Sequence, residues 1–591
     1  MEDIQTEVLI IGGGPTGMLC GIYLDLLGIK NVVIERQSEI SPHPKAHELS
    51  ARSIEILGQL GISLATLKKE ASPHSDASRI LFSHSINQEI GEIDLLAGGN
   101  DEKYKTHLAS PEPYLNLSQT ALEQIIREKL ETCIHSQLLL GQQWESLQEE
   151  KEGVKSLILN REANKSFSIR SQYVICADGA GSRSRKALGI EMKGQDKIDD
   201  FISIYFEHNL RDFIRKPAKL YWIMNPFAPG TFIAHHIERR WVYHFPIFSP
   251  YEKKEDFSEE MLKERILTAL GDKSIPLEIK SISFWRMTCQ MAQTFRKGRC
   301  FLAGDAAHRF PPTGGLGMNS GIGDAQNLCW KLALVLQNRA NPQLLDSYES
   351  ERRPVIELNS AESLKNYFKI WEVPLSLGLN PKMMKWEVIL RNSFLGKLIP
   401  EPWIAAIKRK LSKKIRAILA NPPALLKVKQ AIRNQIEHFD RIGLDLGYYY
   451  EKGAIVLNPS EKLPRQGVSE YQPSIVPGVR FPHFWVCQEG KKVSSQDWLQ
   501  ADRFTLLCND QGEAWWKQSA KKLRPTLTSL IDIRNIQQVF EDAGTTGDFK
   551  TYYPIEETPL LLIRPDGQVA WKPETLNIDI NSVFEKLIPS L

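Results

Sequence analysis

Near the start of the chain, Gly12-Gly13-Gly14-Pro15-Thr16-Gly17 places small residues where a main chain could close on a pyrophosphate. That chemistry needs glycines at fixed positions. Gly12 permits a tight turn, Gly14 lets the backbone approach phosphate, and Gly17 lets a helix pack closely on a strand. Free N–H groups at the N-terminus of the helix that follows would meet the negative charge. Glu35 lies about twenty residues further on, where a carboxylate can accept ribose hydroxyls, and Arg36 stands beside it. The acid argues against a 2′-phosphate at this site, so the dinucleotide held here is FAD or NAD rather than NADP.

The elements that must hold these residues are legible around them. Glu7–Ile11 is an apolar run that suits a parallel strand buried on both faces, Met18–Leu27 reads as a helix, and Asn31–Ile34 is a second strand ending in Glu35. Two further acids sit at strand ends. Val174–Ala177 reads as a strand running into Asp178-Gly179-Ala180-Gly181-Ser182-Arg183-Ser184-Arg185. Arg299–Ala303 reads as a strand ending in Gly304-Asp305-Ala306-Ala307-His308, with His308 positional rather than a base. Pro311 to Asn319 then leads into a long helix with an apolar face of Ile322, Ala325, Leu328, Leu332, Val335 and Leu336.

With these three motifs in order, the chain resembles the group A flavoprotein monooxygenases, the family of para-hydroxybenzoate hydroxylase, phenol hydroxylase and the polyketide hydroxylases. The likeness is densest from Pro311 to Ala333, spans residues 1 to about 360, and continues more weakly to the C-terminus. It implies FAD as the resident cofactor and NADPH or NADH as a transient co-substrate; no second Rossmann unit is present for the nicotinamide. It also implies that Asp305, after Gly304, accepts from a ribityl hydroxyl, and that Asp178 serves both FAD and the incoming nicotinamide. Pro312 and the loop Gly315-Leu316-Gly317-Met318-Asn319 are implied to face the flavin pyrimidine edge, where a helix N-terminus stabilises an anionic reduced ring. Gln119, at a helix start, is implied to contact the flavin. Lys45 stands where the family usually has Arg, which keeps the charge and loses the bidentate geometry.

The substrate side is expected in residues 200–290, which are rich in strand-like segments, including a hairpin of Thr231–Ile237 with Arg240–Phe245. By resemblance this sheet roofs the flavin. Tyr221, Trp222, His235, His236, Tyr243 and His244 supply aromatic walls and candidate proton acceptors, with His235 chosen as the acceptor and Tyr221 as the second candidate. The implied reaction hydroxylates an aromatic or polyketide-like substrate with O2 through a flavin C4a-hydroperoxide, and asks the protein to exclude water and help remove a phenolic proton. Alternatives are a flavin monooxygenase that inactivates an antibiotic and a non-catalytic FAD-binding ligand sensor. No Trp-x-Trp-x-Ile-Pro segment supports a halogenase.

The fold that the resemblance implies is α/β: a Rossmann-like FAD-binding domain (1–190 and 291–365) with an inserted substrate-binding sheet domain (191–290), a helical region and connector (366–470), and a thioredoxin-like C-terminal domain (471–591). The last lacks CxxC, so it is expected to pack or dimerise rather than run dithiol chemistry. Trp403, Ile407, Leu411, Ile415, Ile418 and Leu419 form an apolar stripe among Lys408, Arg409, Lys410, Lys413, Lys414 and Arg416. That pattern suits a helix packed over the other domains, or weak contact with a membrane surface through residues 403–419. A net charge of +3 over 591 residues gives no reason to expect a nucleic-acid partner. The polar start and the eight scattered cysteines, without metal-ligand spacing, fit a cytoplasmic, metal-free protein.

Overall fold

The computed structural model describes residues 3–589 apart from 96–108, 381, 383, 384, 387, 390–400, 466, 489, 538–552, 555 and 556. Its centre is a six-stranded sheet in the order Arg296–Lys297, Cys300–Leu302, Tyr173–Cys176, Val8–Ile11, Asn31–Glu35, Ser136–Leu140. All neighbours are parallel except the short edge pair. The register sets Ile11 opposite Cys176 and Cys176 opposite Leu302. Three strands therefore end level, and their next residues open the three motifs at one sheet edge. That edge is where an open parallel sheet binds ligands.

The strands hold because they are apolar on both faces: Val8, Leu9, Ile10, Val174, Ile175, Phe301 and Leu302 are all fully buried. Each such side chain contributes roughly 1.5–3 kcal/mol relative to leaving it in water. Helix α1 (Pro15–Leu26) covers one face, with the long helix α4 (Leu316–Leu336) packed beside it. Between them in sequence lie α2 (Ala51–Gln59), capped by the Ser50 side chain, and α3 (Gln119–Glu131), capped by Ser118.

A seven-stranded sheet stands over the carboxyl edge. Its order is Ile279–Arg286, Asp200–Phe206, Arg240–Ile247, Gly230–His236, Leu220–Ile223, Arg79–Ser83, Glu89–Asp94. Two of its strands come from residues 79–94, well before the segment 191–290, because Leu220–Ile223 pairs in parallel with Ile80–Ser83. The hairpin forms with Thr231 opposite His244 and His236 opposite Arg240.

After α5 (Ser347–Lys369), two helices, α6 (Glu401–Ala420) and α7 (Pro422–Arg433), lie against the outer strands of that sheet, with Ile415, Val428 and Ile432 buried on Ile80, Phe82 and Ile90. The C-terminal domain is a four-stranded mixed sheet, Ile531–Asn535, Phe504–Cys508, Leu560–Ile563, Val569–Trp571, flanked by helices Asp510–Ser519 and Ile580–Leu587. It shares one hydrophobic core with the dinucleotide domain, and Phe504 meets Trp330 of α4 edge-on at 5.8 Å. Cys20, Cys176, Cys300, Cys329 and Cys508 are buried free thiols, Cys133 and Cys289 are half-buried, and the Cys487 side chain lies outside the described residues. Among the described residues, no helix is long and apolar enough to cross a membrane, and no group of three His, Cys, Asp or Glu is placed to hold a metal.

Candidate active site

A cavity of about 1520 Å³ runs from the edge of the parallel sheet to the inner face of the seven-stranded sheet. At its first end the glycines do three different jobs. Gly12 sits at φ +109°, and a Cβ there would lie 2.3 Å from the Ala177 carbonyl oxygen; a Cβ on Gly17 would lie 1.9 Å from the Gly12 carbonyl oxygen. These two are fixed by the fold. A Cβ on Gly14 would meet nothing within 4 Å, and the same holds at Gly317. Both open positions line the cavity, at the N-termini of α1 and α4, so the fold leaves room there for a bound group whose charge those termini favour.

The other expected cofactor residues divide between open groups and groups that brace the site. Glu35 accepts from the Gly13 and Gln37 amides, at 2.8 and 2.9 Å, and so stands beside the glycine turn. Asp305 lines the cavity, open to it, and accepts no hydrogen bond from the described residues; desolvation within the site raises its pKa. Pro15, Thr16, Arg36, Lys45, Gln119, Gly304, Pro312, Gly315 and Met318 also line it. The Gln119 amide donates to the Ala46 carbonyl at 2.7 Å, which ties α3 to the 43–48 segment. Asp178 accepts from Ser182 Oγ (2.6 Å), Ser184 Oγ (2.7 Å) and the Ser184 amide (3.0 Å), so its carboxylate shapes its own turn. A polar-rimmed cradle with a carboxylate free of protein hydrogen bonds and two helix N-termini fits a dinucleotide carrying ribityl and ribose hydroxyls.

Leu316 and Asn319 depart from expectation. The Leu316 side chain is buried in the core, and the Asn319 side chain points away from the cavity. Asn319 Nδ2 donates to the carbonyls of Gly315 (2.6 Å) and Glu48 (3.0 Å), while its Oδ1 accepts from Ser50 N (3.0 Å) and Ser53 Oγ (2.7 Å). These two side chains position the loop. His308, expected to be positional, pairs through Nε2 with Asp324 at 2.6 Å and also lines the cavity, and Asp324 accepts from the Gly304 amide and Arg352 as well. Burial alone would raise Asp324, but His308 and Arg352 outweigh it and hold the acid down to about 2. Asp324 and Arg352 were not singled out from sequence, because a helical Asp and a helical Arg carry no local sign of pairing.

At the second end, strand alternation decides which side chains reach a ligand. Phe201, Ser203, Trp222, Thr231, Ile233, Val242, His244 and Trp285 line the cavity, and Trp285 stacks on Phe201 at 4.7 Å. Tyr221 and Tyr243 lie one position off this face and point into the core behind it. The Tyr221 hydroxyl donates to the Lys216 carbonyl (3.0 Å) and accepts from the Ala218 amide (2.9 Å); that of Tyr243 donates to the Ala228 carbonyl (2.9 Å). Neither lines the cavity, which corrects both expectations. His236 also faces away, with Nδ1 accepting from the Glu238 amide at 3.3 Å. His235 is 2% exposed, forms no hydrogen bond through either ring nitrogen, and lies edge-on to His47 at 5.4 Å rather than lining the cavity.

His47 itself lines the cavity, where the segment tied to Gln119 meets the substrate sheet. The Asn116 Nδ2 donates to the Ala234 carbonyl (2.9 Å), so its Oδ1 is the acceptor that faces His47 Nδ1 at 2.8 Å. This fixes Nδ1 as the protonated nitrogen and leaves Nε2 as an acceptor with no partner among the described residues. Burial lowers the pKa of His47. Beside it, Glu48 pairs with buried Lys219 (2.6 Å) and with Arg441 (2.5 Å), and Glu48 and Arg441 also line the cavity. Sequence reading gives no role to His47, two residues beyond Lys45, because its contact with Asn116 spans distant parts of the chain.

A Rossmann-type sheet with an open pyrophosphate cradle, joined through one cavity to a ring-lined sheet, defines a flavoprotein oxidoreductase. Comparison with known proteins bears on which kind. The FAD binding domain family matches residues 5–363, and the C-terminal domain of aromatic-ring hydroxylases matches residues 474–586. A 2,4-dichlorophenol 6-monooxygenase of Delftia acidovorans is 28% identical, across 96% of this chain and 95% of that protein. A putative polyketide hydroxylase of Streptomyces coelicolor is 32% identical, across 99% and 96%. The crystal structure of the flavin-dependent monooxygenase PieE in complex with FAD and substrate superposes with a TM-score of 0.83 at 28% identity, covering 99% of each chain. The chain belongs to this FAD-binding family of aromatic-ring hydroxylases and is an FAD-dependent monooxygenase.

Proposed function

We propose that the enzyme hydroxylates a phenolic ring of a flat, extended aromatic substrate of the polyketide type, using O2 and reducing equivalents from NADPH or NADH. The observation that carries this is the cavity: its 1520 Å³ exceeds the ~300–1,000 Å³ of a single small-ligand pocket, and its far wall is built from Phe201, Trp222 and Trp285. Its relatives act on chlorinated phenols or are named as polyketide hydroxylases, which suits a wall of that kind. FAD bound at the glycine end supplies the electron transfer and the activation of oxygen.

The chain's own residues do the rest. The Gly14, Gly315 and Gly317 backbone and Asp305 hold the cofactor, and Glu35 takes its ribose. Trp222, Trp285 and Phe201 orient the ring and keep water from it. His47 accepts the phenolic proton at Nε2, with Asn116 holding Nδ1–H in place, and its lowered pKa keeps the imidazole neutral and ready to accept. His235, expected in that role, stands behind His47 and supports the ring.

The test is NADPH and NADH oxidation by the purified, flavin-bound protein against a panel of phenols, aromatic polyketides and phenolic antibiotics. Stimulated oxidation with one oxygen atom inserted into the product supports the reading. Ligand binding, seen as a change in flavin absorbance, without any stimulated oxidation would replace it with a ligand sensor.

A further inference from the structure

The apolar stripe of α6 divides in two in the folded protein. Ile415, Ile418 and Leu419 turn inward onto α7 and the substrate sheet, and Leu411 turns toward the cavity, whereas Trp403 is 70% exposed and Ile407 58% exposed. Trp403, Ile407, Lys410 and Lys414 follow at i, i+4, i+7 and i+11, so they share one outward stripe. Arg409, Lys413 and Arg416 flank it, all exposed, and among the described residues no carboxylate pairs with any of these five cations. On α7, Leu426 is 66% exposed beside exposed Lys427 and Lys429.

Charge is concentrated here. Residues 401–433 hold nine Lys or Arg against one acid, Glu401, in a chain whose whole net charge is +3. A cluster of like charges repels itself, and an anionic surface relieves that repulsion. Exposed Trp, Ile and Leu set among the cations add a second requirement. The surface must also accept apolar side chains to a shallow depth, which is what the headgroup boundary of a bilayer does for an interfacial helix.

We infer that the α6–α7 cap docks this enzyme on an anionic lipid surface, with Trp403, Ile407 and Leu426 inserted and the lysines and arginines at headgroup level. The opposite side of α6 contributes Lys408 and Leu411 to the wall of the cavity. One helix, about 10–12 Å across, then separates the bilayer from the cavity, which suits a ring substrate that partitions into lipid.

The experiment is sedimentation of the holoenzyme with phosphatidylcholine vesicles containing phosphatidylglycerol, and with phosphatidylcholine vesicles alone. Binding is expected only to the first and is expected to fall as salt rises. Lys410→Glu with Lys413→Glu and Lys414→Glu should weaken it at least about tenfold. Trp403→Ser with Ile407→Ser should also weaken it, with flavin absorbance and melting temperature unchanged in both variants. Absence of sedimentation at low salt overturns the inference, as does binding that the Ser variant leaves intact. Retention of an acidic protein by the same patch, without any vesicle binding, would overturn it in favour of a protein partner.

Discussion

The seam between α4, α5 and the C-terminal domain is the opposite of the cavity. In the seam, buried charges are paired. Glu351 meets Lys331 at 2.7 Å, both Arg564 nitrogens at 2.8 and 2.9 Å, Asn327 at 2.6 Å and the Ala454 amide at 2.8 Å, and the Glu351, Lys331 and Arg564 side chains are fully buried. A second knot joins Glu55 to Arg480 (2.8 Å, through Nε) and to Arg52, whose Nη2 reaches the Asp566 carbonyl at 2.5 Å. In the cavity, by contrast, the Asp305 carboxyl, His47 Nε2 and the space beside Gly14 and Gly317 are left open. Paired buried charges mark a region whose work is positional, and polar groups left open to a cavity mark a region able to take a ligand.

The largest effect should come from breaking the seam. Glu351→Ala leaves Lys331 buried without a carboxylate and Arg564 with Asp566 alone, and breaking a buried pair of this kind costs about 3–5 kcal/mol. Denaturant unfolding should show that loss. In the wild type, Arg564 and Lys331 hold Glu351 down to about 2 against the opposing effect of burial. A depressed carboxylate contributes stability above its unfolded value of about 4.5, and that contribution is lost as pH falls toward 2. Wild-type stability should therefore decline through this window, and the Glu351→Ala variant should decline less.

Next comes His47→Asn, which should lower kcat about a hundredfold, the lower end of general-base contributions, with little change in unfolding free energy. Because burial lowers the imidazole pKa below its usual 6.5, wild-type kcat should hold as pH falls past 6.5 and drop only at more acid pH. The variant should lack that acidic limb. A variant that kept the limb would place the titrating group elsewhere, with His43 and His244 as alternatives on the cavity wall.

Asp305→Asn should lower FAD affinity about tenfold or more, the weight of a hydrogen bond to a charged acceptor, while the stability of the apoprotein holds or rises slightly. Flavin fluorescence titration and apoprotein unfolding measure the two sides. An equal loss in both would place Asp305 with the seam rather than with the cavity.

These contrasts also explain what could be read in advance. The three motifs were legible because each needs a local pattern, a strand end followed by small residues, and the parallel register carries all three to one edge. The 231–245 hairpin was legible from strand spacing, whereas the C-terminal α/β domain was expected from the family resemblance. The lining of the substrate wall was not. Alternation fixes that neighbouring residues face opposite ways, but which set faces the ligand depends on what packs behind the sheet. Phe232, Trp241 and Tyr243 form the core there, so Thr231, Val242 and His244 are left for the cavity. A bulge between Ala234 and His236 then removes His235 from either simple reading. The seam was invisible for a related reason. Glu351 and Arg564 lie 213 residues apart, and nothing local to either announces the other.

The smallest effect tests that division of the sheet into two faces. Tyr221→Phe removes a hydroxyl that the structure assigns to the core, where it bridges the Lys216 carbonyl and the Ala218 amide. Burial raises the Tyr221 pKa, so the phenol stays protonated and acts as a donor in the fold. The substitution should cost about 0.5–1.5 kcal/mol of stability and leave kcat and its pH profile unchanged. Trp222→Leu, at the next position along the same strand, should do the reverse, since its ring faces the cavity and stacks near Phe82. It should raise KM for the ring substrate more than it lowers the melting temperature. If Tyr221→Phe instead flattened the pH profile, the inner face of the sheet would be the one now taken for core.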